Sequence, residues 1–90
     1  MSLEPHYKDV VDKINVKSSD ATTFSKSQGQ IMSDIEKHTR SVLRSFSDRR
    51  NCVAHAASQR NAYQQRLDRN GRDYEAFVAY KTFSAILHWT

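Results

Sequence analysis

The side chains best suited to chemistry gather in six consecutive positions, Arg50-Asn51-Cys52-Val53-Ala54-His55. Cys52 and His55 are of metal-ligand type, but His6, His38 and His88 are scattered and supply no second pair. The same two residues would suit a nucleophile and its base, yet no third side chain is indicated to orient the histidine. The only glycines, Gly29 and Gly71, make no glycine-rich phosphate loop. Neither a metal nor a cofactor is expected. A second set of residues is purely electrostatic: Lys37, Arg40, Arg44, Arg66 and Arg69 recur at spacings that place them on one side of a helix.

The element that must position both sets is the stretch Gln30 to Asn70, which holds no proline or glycine and ends at Asn70-Gly71. It reads as one continuous helix of about 60 Å, stopped by a left-handed turn at Gly71. Its apolar residues Ile31, Ile35, Val42, Phe46, Val53 and Ala57 step by four and seven alternately, a period that keeps the stripe on one side of a nearly straight helix. Lys37, Arg40, Arg44, Asn51, His55, Arg66 and Arg69 fall on the opposite face, interrupted by Asp48, over about 48 Å. Arg49, Arg50, Arg60 and Gln64 lie on or near the inward side, where Asp48, Asp68, Asp73 or Glu75 would have to partner the charges.

Three shorter segments complete the expected all-α bundle, a single domain. Residues 1–15 carry a short helix, with Tyr7, Val10, Val11 and Ile14 on one face. Residues 16–29 form a Ser/Thr-rich linker, with Phe24 docking on the long helix and a turn of helix conceivable near Asp20 to Phe24. Residues 73–88, capped by Asp73, form an aromatic-rich helix that folds back antiparallel through the Gly71 turn. At about 24 Å this last helix is too short to cover the apolar stripe. Ile31, Ile35, Val42 and Phe46 then require a second subunit, and a homodimer is expected.

The composition bounds the partners. Ninety residues with a net charge of +4 favour an acidic protein surface or a nucleic-acid backbone. The absence of a long apolar run makes a membrane-spanning role unlikely, and the cations are not set beside large exposed apolar residues as membrane insertion would need. One cysteine and no signal-peptide core fit a cytoplasmic location.

The segment Arg50 to His55 resembles the Arg-x4-His signature of HEPN domains, in which a polar residue often follows the arginine and a small residue precedes the histidine. The resemblance implies an all-α, often dimeric fold and, in some members, metal-independent ribonuclease activity of the toxin or defence type. It implies that Arg50 stabilises a phosphate, His55 transfers a proton and Asn51 helps to position them, at a site on the dimer interface. In one unbroken helix Arg50 and His55 would point about 140° apart. Bringing them into one site therefore requires a helix start near Ser47-Asp48 or a second subunit. Two readings follow. The first is a non-enzymatic dimeric binding module that engages a partner protein or a nucleic-acid backbone through the arginine face. The alternative is an HEPN-like ribonuclease.

Overall fold

The computed structural model describes residues 1–89. A 3-10 turn, Glu4–His6, runs into α1 (Tyr7–Val11); α2 (Ser18–Phe24), α3 (Gln28–Arg44), α4 (Arg49–Arg69) and α5 (Tyr74–Leu87) follow. No strand forms among the described residues, and the fold is a small all-α bundle.

The expected continuous helix is two helices, broken at Ser45–Asp48. Two agents, one distant in sequence and one local, end the first and begin the second. The backbone N–H of Leu3 donates to the carbonyls of Leu43 at 3.1 Å and Phe46 at 2.9 Å, taking acceptors that a continuing helix would have used itself. Asp48 then leaves the helical region (φ −116°, ψ 119°) and its carboxylate accepts from the Arg50 N–H at 2.8 Å, an N-cap for α4. The molecule's longest dimension is consequently 38 Å, where a 41-residue rod would reach about 60 Å.

The break changes what covers the apolar stripe. α5 packs mainly against α4 and also against α3. Ile31 and Ile35 close over Phe77, with Ile14, Phe24 and Leu67 alongside. Val42 and Leu43 join Cys52, Ala56, Phe83, Ile86 and Trp89, together with Leu3 and Val10 from the N-terminal segment. Ile31 and Ile35 are fully buried within one chain, so the argument for a homodimer from an uncovered stripe does not hold. Ala57, expected on the apolar face, is exposed.

Two further expectations are corrected. The region read as a linker contains α2, whose first turn is held by the Asp20 carboxylate accepting from the Lys17 N–H at 2.9 Å. The left-handed residue lies not at Gly71 but at Ser25 (φ 53°), which ends α2. α4 ends at Arg69 with Asn70 extended, and the Asn70 side-chain oxygen accepts from the Arg72 N–H to make the turn into α5. Phe24 packs, as expected, against the cluster of Ile31 and Ile35, and also meets α5, with ring centroids 5.3 Å from Tyr74 and 4.7 Å from Phe77.

Candidate functional site

The start of α4 decides where the Arg50–His55 segment sits. Arg49 and Arg50 occupy its first turn, and they part company there. The Arg49 guanidinium lies 4.3 Å from the centre of the Trp89 ring and donates to the Trp89 carbonyl, so it is spent on packing. Arg50 is exposed and makes no ion pair among the described residues; Asn51 is exposed beside it. His55 is half-buried one and a half turns further on, its ring 5.2 Å from Phe46 and 5.5 Å from Phe83. No hydrogen bond joins Arg50 to His55 among the described residues, and a regular helix sets them about 140° apart. A helix thus starts just before Arg50, but both side chains lie within it and remain on different sides of one chain.

The thiol chemistry is absent in this arrangement. Cys52 is fully buried in the core, and burial pushes its thiol up, away from the reactive thiolate. No cluster of three or more His, Cys, Asp or Glu residues able to hold a metal ion occurs among the described residues.

The cationic rail expected along one helix is split between two helices, and most of it is partnered. Arg44 grips both carboxylate oxygens of Glu4, at 3.0 Å and 2.9 Å, and Arg40 approaches the same carboxylate at 3.6 Å while lying 4.4 Å from the centre of the Tyr7 ring. The hydrogen bonds from Arg44 hold the Glu4 carboxyl below its ordinary value, against the opposing effect of desolvation. Arg66 pairs with Asp73 and Glu75, each at 3.0 Å, across the turn between α4 and α5. Asp73 and Glu75, two of the four carboxylates named as possible partners, thus neutralise an arginine counted as free. Only Lys37 and Arg69 of the five nominated cations are exposed without an ion pair among the described residues.

Sequence reasoning missed a groove of about 360 Å³ between α3, α4 and α5, lined in part by Asp34, His38, Tyr63, Tyr74 and Val78. The Tyr74 hydroxyl donates to Asp34 at 2.5 Å. Burial, then that hydrogen bond, raises the phenol well above its ordinary value. His38 stands edge-on to Phe83, with its Nδ1 buried and without a partner among the described residues, and burial lowers its pKa. Asp34 and Tyr74 stand forty residues apart, so no local pattern could have signalled the pair.

No protein-family model, curated protein or solved structure matches this chain.

Proposed function

We propose that this chain acts on RNA as an HEPN-like, metal-independent ribonuclease, with Arg50 and Asn51 engaging a phosphate and His55 transferring a proton. One observation carries the reading: α4 begins at Arg49, immediately before the motif, and leaves Arg50 in an exposed first turn with no ion pair among the described residues. A guanidinium there can present a planar fork to a phosphate, and the start of a helix adds its own partial positive charge. The division of the cations between α3 and α4 counts against the rival picture of one long cationic rail.

The divergence of Arg50 and His55 gives a second copy a chemical task. A site that uses both side chains would have to be completed across the interface with that copy. Dimerisation enters through the geometry of the motif, and no longer through the need to cover Ile31 and Ile35.

A non-enzymatic module binding RNA or a partner protein is the second reading. It is favoured by the packing of the His55 ring against Phe46 and Phe83, which gives the imidazole a structural use. Cleavage of a fluorescence-quenched RNA in the presence of EDTA separates the two. The ribonuclease reading expects cleavage that falls by a factor of about 100 or more in His55→Ala, the scale of one lost acid–base group, and is also lost in Arg50→Ala. Undiminished cleavage in His55→Ala removes the motif as its cause. RNA binding without cleavage leaves the second reading.

A further inference from the structure

The opposite end of the break carries a charged patch that the proposed site does not use. Lys37, Arg40 and Arg44 lie within about 60° of arc on α3 and over about 10 Å of its length. They line a cavity of about 470 Å³ together with Tyr7, Ser33 and Glu36. A single carboxylate, Glu4, reaches across from the N-terminal segment and takes both Arg44 and Arg40. Its engagement by Arg44 is bidentate, the fork-to-fork geometry that a guanidinium offers equally to a phosphate.

We propose that this face of α3 binds the phosphodiester backbone of single-stranded RNA, and that Glu4 occupies the central anion position until the strand displaces it. The choice of RNA rests on the function proposed above; the displacement rests on the geometry of Glu4.

Three features make Glu4 displaceable. The pair is open to water: the side chains of Arg44, Arg40 and Glu4 are 60%, 48% and 35% exposed, a setting in which an ion pair holds weakly. The Glu4 backbone does not depend on its carboxylate. Leu3 is buried, and its N–H donates to Leu43 and Phe46, so the side chain can swing out while the segment stays docked. The competing ligand is multivalent, whereas Glu4 offers one charge. With Glu4 turned away, three cations face one remaining carboxylate in the cavity, Glu36. The same Leu3 hydrogen bonds clasp the turn that leads into Arg50, so the patch and the proposed phosphate site flank one short connection.

If Glu4 is only a staple, its loss weakens the fold and does nothing for RNA. If it is a stand-in anion, its loss strengthens binding. The test uses the full chain carrying His55→Ala, in EDTA, so that binding is read without turnover. Labelled unstructured RNA is titrated by fluorescence anisotropy at several salt concentrations, with folding checked by circular dichroism. Glu4→Gln is expected to tighten binding about twofold to fivefold, the scale of one exposed ion pair. It should also steepen the salt dependence of log K by roughly 0.7 to 1.4, one or two further phosphates on a single strand. Asp68→Asn makes the same change in net charge near the far end of α4, at an exposed residue without an ion pair among the described residues, and should leave both quantities near their starting values. Arg44→Gln added to Glu4→Gln should remove the gain.

Tightening no greater in Glu4→Gln than in Asp68→Asn overturns the proposal while leaving the ribonuclease reading intact. Cleavage absent but tightening present removes the ribonuclease and keeps the patch. No RNA binding by any variant overturns the patch. Inorganic phosphate that displaces the strand at constant ionic strength, with the same preference for Glu4→Gln, reassigns the position to a small anion. A Glu4 effect seen with anionic phospholipid vesicles and not with RNA also sinks the proposal.

Discussion

Replacing Asp48 by alanine tests the feature on which the fold and the proposed site both depend. Its carboxylate is the side-chain cap of α4, accepting from the Arg50 N–H at 2.8 Å. Removing an N-cap costs about 1 kcal/mol, within a range of roughly 0.5–2. Asp48 also sets a negative charge at the positive end of a helix whose first two residues are arginines, worth about 0.3–1 kcal/mol at an exposed position. The expected loss is therefore about 1–2 kcal/mol, from a total of roughly 5–13 kcal/mol for a chain of this length. At about 4–8 °C per kcal/mol the melting temperature should fall by about 4–16 °C. Asp48→Asn keeps the acceptor and loses the charge, so it should show only the smaller part. Thermal and urea unfolding followed by circular dichroism at pH 7 measure both variants. An unchanged or raised melting temperature in Asp48→Ala would refute the capping argument. A rise in helicity together with a doubled solution mass would show the uninterrupted rod to be the preferred state of the uncapped chain.

Two other expectations follow from the core. Phe83 is 4% exposed and meets His38, His55 and Tyr63, so Phe83→Ala should cost about 3–5 kcal/mol in urea unfolding; a loss below about 1 kcal/mol would mean that these contacts are not made. His38 is kept neutral by burial, so its folded pKa lies below the unfolded value of about 6.5. Its contribution is present above that value and is lost as pH falls through the folded pKa, because unfolding then takes up a proton. His38→Gln should flatten the acid side of the stability curve relative to the unsubstituted chain, and superimposable curves from pH 7.5 to 5 would contradict this.

What could be read in the chain beforehand depended on how local its cause was. Asp73 followed by an aromatic-rich amphipathic run marks a capped helix with no outside help, and α5 spans Tyr74–Leu87 with the Asp73 carboxylate accepting from the Ala76 N–H. The break before Arg49 has a distant cause. Ser45-Phe46-Ser47-Asp48 contains no glycine or proline, and the apolar spacing runs straight across it; the carbonyls that close α3 are claimed by Leu3, some forty residues earlier. Asp48 carried the signal, but a cap residue within an unbroken periodic pattern reads as a surface charge. The candidate site divides in the same way. Arg50, Asn51 and His55 are contiguous enough to notice, whereas the occupation of Arg44 by Glu4 and of Arg66 by Asp73 and Glu75 exists only once the helices turn back. A helical wheel shows which cations share a face and says nothing about which of them are already taken.

Leu3 gives the chain a property that neither neighbouring helix has alone. By filling the carbonyls of Leu43 and Phe46 on either side of the end of α3, it acts with the Asp48 cap to keep the joint bent. Drawn out, it would return those carbonyls to the tract from Gln30 to Asn70, in which no glycine or proline opposes straightening. A few N-terminal residues thus help to hold the bend that leaves α4 with a free helix end at Arg49.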